Sequence, residues 1–309
     1  MKTLTFHNIK GGVGKSSFTI LYASFLAYRH GIKVGVADID TRINSYRKDE
    51  YNAKKRNGAL DNILETDPWV VAPVDYAAVK KYRNEYLPGY ATWLEKEIRQ
   101  GSLKDCDVVL IDLPGAVSGG EAPEIIAKNL IGLYVIPTDR DSITLRVTVR
   151  TKNMINDIQK QIANLKCNYC AFINQIQPQQ KKSVYVQMAE ILRSSGLPVL
   201  PDMIAYSERM KKIDDVDIMR STFSYPDWEN PLYEGSKDLG IDNLFIDITK
   251  LLAKTEDITG TKETDLSFIE TVEKKCGLQD LNRQLNGTAF PELEIELPED
   301  MKTSFKKKY

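Results

Sequence analysis

Glycines, lysines and serines that suit phosphate binding lie together near the start of the chain. The stretch reads Asn8-Ile9-Lys10-Gly11-Gly12-Val13-Gly14-Lys15-Ser16-Ser17. Its glycines let backbone N–H groups turn toward phosphate oxygens without obstruction by a Cβ atom. Lys15 can reach the β and γ phosphates of a nucleotide, and the Ser16 hydroxyl can ligate Mg²⁺. The stretch therefore predicts a phosphate-binding loop made of Gly11, Gly12, Val13, Gly14, Lys15, Ser16 and Ser17.

The residues on either side of this loop have the periodicities of a strand and a helix. Before the loop, Leu4 and Phe6 alternate with other residues, as they would in a strand. After the loop, apolar residues recur at helical spacing until Gly31 supplies a stop. These residues are Phe18, Leu21, Tyr22, Phe25 and Tyr28. A strand-turn-helix context is the one that a phosphate-binding loop requires.

Carboxylates follow two further apolar strands. Asp38 and Asp40 end the first of these strands, and Asp112 ends the second. The carboxyl ends of parallel strands point into the crevice where ligands of open α/β sheets bind. Asp112 is thus placed to hold a Mg²⁺-bound water, and Gly115 can bring a backbone N–H to a γ-phosphate. The alternative for Asp40 is that it caps the next turn or helix.

Strands alternate with helices as far as Ala253. The pattern predicts an α/β fold, with one doubly wound, mostly parallel sheet flanked by helices, in a domain of residues 1–253. Ser142 is the predicted N-cap of the helix that follows the strand at 133–138. Residues 254–309 are predicted to form a C-terminal extension with a linker and short helices. Within it, the alternating acidic and apolar residues 291–298 fit an edge strand or a partner-binding peptide, and the basic ending 306–309 fits a solvated terminus.

Composition limits the classes of partner. The 309 residues carry a formal net charge of −1, so nucleic-acid binding would have to come from local basic patches. The sequence shows neither a leader peptide nor an apolar run near the ~20 residues of a membrane span, which predicts a cytoplasmic protein with no membrane partner. Four cysteines and two histidines argue against a self-contained zinc site.

The loop departs from the common phosphate-loop pattern, since Ile9 stands where the first glycine belongs and Lys10 directly precedes the glycines. This variant resembles the deviant P-loop of the ParA/MinD family of dimeric ATPases, closest to ParA-like partition proteins of plasmids and conjugative elements. The resemblance implies the P-loop NTPase fold, ATP and Mg²⁺ as cofactors, and a homodimer that forms with ATP. In that dimer, Lys10 reaches the phosphates bound by the partner subunit.

The resemblance also implies roles for individual residues. Asp38 would support the Mg²⁺ shell through water, and Asp40 would polarise the attacking water. Asn174 would hydrogen-bond the adenine edge, although a turn or cap role also fits an asparagine at a strand end. The predicted catalytic residues are Lys10, Lys15 and Asp40. The predicted metal-site residues are Ser16, Asp38 and Asp112.

The function implied by the resemblance is a slow, Mg²⁺-dependent ATPase that acts as a dimeric switch. It would bind DNA without sequence preference during partition or conjugative transfer of a mobile element, and a ParB-like or other activating protein would stimulate it. DNA binding would place it on the nucleoid. The candidate DNA-binding residues are Lys181, Lys182, Arg209, Lys211, Lys212 and Arg220. The alternative is that these basic residues form a solvated face, as a charge run usually does.

Two other functions stay open at this point. Asp38, Asp40 and Arg42 form a D-x-D-x-R pattern that is similar to bacterial tyrosine kinases of this fold, and the chain ends in Tyr309. Those kinases carry a cluster of terminal tyrosines, whereas this chain has one. Cys167 and Cys170 form a C-x-x-C pair that fits an iron–sulfur cluster carrier of the same superfamily, or two small buried residues.

Overall fold

The structure is a computed structural model. It describes residues 1–40, 69–115, 121–162, 165, 167–177, 181–205 and 241–258. All of these residues belong to one compact unit, Met1–Leu266. No helix of the described ranges is long and apolar enough to cross a membrane.

Within the described ranges, seven parallel strands form one sheet, in the order β3-β2-β4-β1-β5-β6-β7. The strand β4 contains the apolar run Val108-Val109-Leu110-Ile111, which is typical of a parallel strand that helices cover on both faces. The result confirms the predicted doubly wound α/β fold. The strands are β1 (Lys2–Phe6), β2 (Val34–Asp38), β3 (Trp69–Pro73), β4 (Val108–Asp112), β5 (Leu133–Thr138), β6 (Asn168–Ile176) and β7 (Val199–Ala205).

Seven α-helices lie in the described ranges. The first, α1, continues into a short π-helical segment, Phe25–Arg29, and Gly31 with φ +64° follows it as the predicted stop. The helices are α1 (Lys15–Ser24), α2 (Tyr76–Asn84), α3 (Gly89–Arg99), α4 (Glu121–Ala127), α5 (Ser142–Gln161), α6 (Lys182–Ser194) and α7 (Ile241–Ala253).

The prediction that Ser142 caps α5 is wrong. The N-cap is Asp141, whose carboxylate accepts a hydrogen bond of 3.0 Å from the Ile143 N–H. Asp141 has extended backbone angles, whereas Ser142 is already the first helical residue. Both residue types are good caps, so the sequence alone does not choose between neighbours.

An aromatic cluster fixes α1 to the sheet. Phe6 of β1 and Phe18 of α1 have ring centroids 5.8 Å apart, and Phe18 lies 4.8 Å from Phe172 of β6. Tyr22 contacts Phe245 of α7 at 5.1 Å. These rings are fully buried, and such pairs hold well-defined geometries. The cluster therefore fixes the helix that begins immediately after the glycine-rich loop.

The packed part of the chain continues past α7 to Ile258. The Ile258 N–H donates to the Met1 carbonyl at 3.1 Å, and Asp257 forms an ion pair with Lys2 at 3.3 Å. Thr255 is buried. These contacts hold the chain after α7 against the first strand. The division of the chain at residue 253 stays a prediction.

Candidate nucleotide-binding site

The glycine-rich loop joins β1 to α1 at the carboxyl edge of the sheet. Gly12 and Gly14 have φ of +78° and +94°, which favour glycine. A Cβ atom on Gly14 would also lie 3.1 Å from the Asn174 amide nitrogen and 3.2 Å from the Phe18 ring. No side chain in the described ranges caps α1. Its first N–H groups are therefore available to an anion, as a phosphate site requires.

Lys15 lies between the glycine-rich loop and the loop that follows β4. Its Nζ donates to the Lys10 carbonyl at 3.1 Å. A Cβ atom on Gly115 would lie 2.8 Å from that Nζ and 3.4 Å from the Gly11 nitrogen. The loop that follows β4 therefore comes close to both the Lys15 ammonium group and the backbone of Gly11. Burial lowers the pKa of Lys15, while the nearby carboxylates of Asp112 and Asp40 oppose that shift.

Two buried carboxylates lie next to this lysine. Asp38 and Asp112 are in register on the neighbouring strands β2 and β4, and both are fully buried. Burial raises the pKa of Asp112 to about 7, and the charges of Asp38 and Asp40 add to the shift. A hydrogen bond from Ser16 and the charge of Lys15 act in the opposite direction.

These residues fit a magnesium ion. The Ser16 hydroxyl and the carboxylates of Asp38 and Asp112 are oxygen donors, which Mg²⁺ prefers. Buried carboxylates close to each other repel, and a divalent cation beside them would relieve that repulsion. The partly buried Asp40 lies at the same edge, and its N–H donates to the Asp112 carbonyl at 3.3 Å.

Asn174 supports the loop from the end of β6. Its side-chain nitrogen donates to the Val13 carbonyl at 3.1 Å, and it is buried. Gln175 follows, and its side-chain nitrogen donates to the Gly12 carbonyl at 3.3 Å. The predicted contact of Asn174 with adenine stays a prediction. Sequence reasoning missed Gln175, because its contact depends on a local irregularity of β6 and not on a motif.

The amino-acid sequence matches the family model described as the CobQ/CobB/MinD/ParA nucleotide binding domain over residues 4–218. The chain belongs to this family. The match confirms the predicted relationship to ParA and MinD. It covers every predicted nucleotide-binding residue, from Gly11 to Asn174, although the role of each residue stays a prediction. No protein of curated function matches the chain.

Several solved structures have a fold similar to that of this chain. Apo McdA of Cyanothece has a TM-score of 0.53 and 21% identity, covering 77% of this chain and 99% of McdA. MinD of Aquifex aeolicus has a TM-score of 0.52 and 15% identity, covering 79% and 97%. A structure described as a plasmid partition protein of Borrelia burgdorferi, bound to AMPPNP, has a TM-score of 0.51 and 17% identity, covering 78% and 99%.

Lys10, the residue that sets this ParA/MinD-type loop apart, is held by contacts within its own chain. Its Nζ forms an ion pair with Asp141 at 2.9 Å, lies 3.8 Å from Asp139 and bonds to the Thr144 hydroxyl. The hydrogen bond from Lys10 lowers the pKa of Asp141. In the sequence these partners are more than 120 residues from Lys10, so no local pattern points to them.

Asn8 is a further residue of the ParA/MinD-type loop that sequence reasoning missed. Its side-chain nitrogen donates to the Pro137 carbonyl and the Thr148 hydroxyl, both at 2.9 Å. Its side-chain oxygen accepts from the Lys10 N–H at 3.0 Å. Asn8 is fully buried and so ties the start of the loop to β5 and α5. The signal in the sequence is an asparagine two residues before Lys10, where its side chain can accept from the Lys10 N–H.

The remaining predicted residues begin the helix α6 or lie outside the described ranges. Lys181 is exposed directly before α6, and Lys182 is the first residue of that helix. Six other residues lie outside the described ranges: Arg42, Arg209, Lys211, Lys212, Arg220 and Tyr309. Their predicted roles stay predictions.

The cysteine pair has the character of buried thiols. Cys170 is buried in β6, and burial raises its pKa to about 12. Burial also raises the pKa of the half-buried Cys167 to about 11. Within the described part of the chain, the two cysteines join no group of three potential metal ligands. The burial of Cys170 suits the packing role, and the iron–sulfur alternative stays a prediction.

Proposed function

We propose that this protein is a Mg²⁺-dependent ATPase that works as a dimeric switch. The observation that supports this proposal most strongly is that Lys15, Gly115 and the Asp38–Asp112 pair lie together at one edge of the sheet. The loop that begins with Lys10 lies next to them. ATP as the ligand is supported by the Borrelia burgdorferi protein of the same fold, which is bound to the ATP analogue AMPPNP.

The residues of the site have separate tasks in this proposal. Lys15 and the N–H groups at the start of α1 offset the negative charge of the phosphates. Ser16, Asp38 and Asp112 would hold Mg²⁺, which supplies further charge neutralisation when it is bound. Asp40 orients the attacking water. Catalysis then consists mainly of positioning and electrostatic stabilisation, as is typical of phosphoryl transfer.

The switch itself requires the Lys10 side chain to break its contacts with Asp141 and Thr144 of its own subunit. We propose that ATP brings two subunits together and that each Lys10 then contacts the phosphates held by the partner. In this state the dimer binds DNA without sequence preference, and hydrolysis, stimulated by a ParB-like or other protein, resets it. The setting that this cycle suits is partition or conjugative transfer of a mobile element, in the cytoplasm and on the nucleoid.

Two substitutions test the proposal. Lys15→Ala removes the cation from the phosphate site and should abolish detectable ATP binding. Asp40→Ala should keep ATP binding and dimer formation but lose turnover by about a hundredfold or more. Equilibrium titration with Mg²⁺-ATP, light scattering and phosphate release measure the three properties on the same samples.

The exposed Asp157→Ala variant is the matched control, because Asp157 lies on α5 and contacts only Lys160 among the described residues. It should behave as the wild type does. Normal hydrolysis by Asp40→Ala would remove the proposed role of Asp40. Transfer of the labelled γ-phosphate to tyrosine would instead favour the kinase alternative.

A further inference from the structure

The phosphate loop has an outer side that also needs hydrogen-bond partners. When the N–H groups of a loop face a phosphate, several of its carbonyl groups must point away and find donors elsewhere. Two consecutive carbonyls of this loop receive side-chain amides from the end of β6. The Val13 carbonyl accepts from Asn174 at 3.1 Å, and the Gly12 carbonyl accepts from Gln175 at 3.3 Å.

A regular strand would not supply both amides. Successive side chains of a strand point to opposite faces of the sheet, so only one of two neighbours would reach the loop. Gln175, however, has φ +59°, a left-handed conformation that glutamine adopts rarely. The pairing of β6 with β7 shifts register between Ile173 and Ile176, and the Gln175 N–H donates to the Asn174 side-chain oxygen at 2.8 Å. This irregularity turns both amides toward the loop.

We infer that Gln175 is a positioning residue of the nucleotide site, which holds the Gly12 carbonyl on the outer side of the phosphate loop. The inference rests on the proposed function. Gly12 and Gly14 have no Cβ atom, so the peptide groups between them rotate more easily than those of other residues. A carbonyl that turned inward would repel the phosphates. Gln175 therefore acts by preorganising the empty loop, which strengthens binding without new contacts to the ligand.

Two variants remove the contact of the Gln175 amide with the Gly12 carbonyl but still tolerate the positive φ at position 175. Gln175→Gly removes the amide and suits a positive φ. Gln175→Asn keeps an amide and also tolerates the left-handed region, but its side chain is one methylene shorter. Gln177→Ala is the control, because the bond that Gln177 makes in the described ranges is from its backbone N–H to the Tyr185 hydroxyl at 2.9 Å. All three are made in the full chain.

The measurements are dissociation constants for Mg²⁺-ATP and Mg²⁺-ADP, kcat at saturating ATP, and the Tm of the nucleotide-free protein. Both Gln175 variants should bind ATP and ADP about three- to tenfold more weakly, the range for loss of one partly exposed hydrogen bond. The factor should be the same for the two nucleotides, because both place phosphates in this loop. The value of kcat should stay within about twofold, and Tm should not fall.

The outcomes distinguish this inference from the proposed function. Unchanged affinity in both Gln175 variants, or a loss for ATP alone, overturns the role of Gln175 and leaves the ATPase proposal standing. A lower Tm together with weaker binding would show a general structural role instead and also overturns it. Failure of the wild-type protein to bind either nucleotide overturns the proposed function and this inference together.

Discussion

Lys10 is restrained by contacts within its own chain, with the residues that begin α5. Its ion pair with Asp141 is exposed, since the side chain of Asp141 is 44% accessible and that of Lys10 is 28% accessible. Exposed pairs are weak, so the contact can hold Lys10 in the single subunit and still be broken when a partner supplies phosphates. The proposed dimer must break two such pairs, one in each subunit.

Asp141→Asn should therefore promote the dimer. Asparagine keeps an oxygen for the Ile143 N–H and caps a helix as well as aspartate does, but it removes the charge that attracts Lys10. With a non-hydrolysable ATP analogue, the protein concentration at half-dimerisation should fall by about three- to tenfold, as measured by sedimentation. Asp139→Asn is the matched control, because Asp139 lies 3.8 Å from the same nitrogen and should have a smaller effect. An unchanged or higher midpoint for Asp141→Asn would contradict the restraint.

The sequence predicted best the residues that are close together along the chain. Gly12, Gly14 and Lys15 lie within one short stretch, and their placement between β1 and α1 follows from local backbone geometry. Asp38 and Asp112 are distant in sequence, but each ends an apolar strand, and parallel strands bring such ends together. No such rule predicts the partners of Lys10 or the contact of the Gln175 amide from the sequence. They depend on the loop before α5 and on a register shift in β6, which form only when the sheet is assembled.

At the scale of elements, the packing of α7 on the edge strand β7 brings two carboxyl groups together. Asp202 of β7 hydrogen-bonds Asp247 of α7. Burial, the charge of Asp247 and this hydrogen bond together raise the pKa of Asp202 to about 7, while Lys250 opposes the shift. Lys250 also forms an ion pair with Asp247 at 3.5 Å, and Asp247 raises the pKa of Cys170 on β6.

Stability should depend on pH at this contact. Between about pH 4 and pH 7 the unfolded chain ionises Asp202 while the folded protein keeps the proton, so the free energy of unfolding falls as the pH rises. Asp202→Asn cannot ionise. Its Tm should exceed that of the wild type by about 2–6 °C at pH 8, and the difference should shrink toward pH 5. Calorimetry across this pH range measures both trends.

Asp157→Asn is the control for this measurement, because Asp157 is 67% accessible and pairs with Lys160 on the surface of α5. Its Tm should follow the wild type at every pH. A difference between Asp202→Asn and the wild type that grew toward low pH would have the wrong sign. That result would mean that the folded protein favours the ionised form of Asp202.

At the scale of the whole molecule, net charge decides how DNA could be bound. A chain with a net charge of −1 has no general positive field, so the proposed DNA binding must come from a local patch that the dimer doubles. Among the described residues, the predicted patch begins with the exposed Lys181 next to α6. Contacts of this kind are made to phosphates, and they should be non-specific and sensitive to salt.

Gel-shift assays with ATP, ADP and no nucleotide, over a series of salt concentrations, test this prediction. Binding should appear with ATP, and its affinity should fall steeply with salt. Lys181→Ala should reduce the slope of log affinity against log salt by about one for each lysine–phosphate pair that the substitution removes, so by about two in a dimer. Lys160→Ala is the control, because Lys160 is likewise an exposed lysine but lies on α5, outside the predicted patch. A dimer that forms with ATP but does not bind DNA at any salt concentration would contradict the DNA-binding proposal. That result would not contradict the proposed ATP-dependent dimerisation.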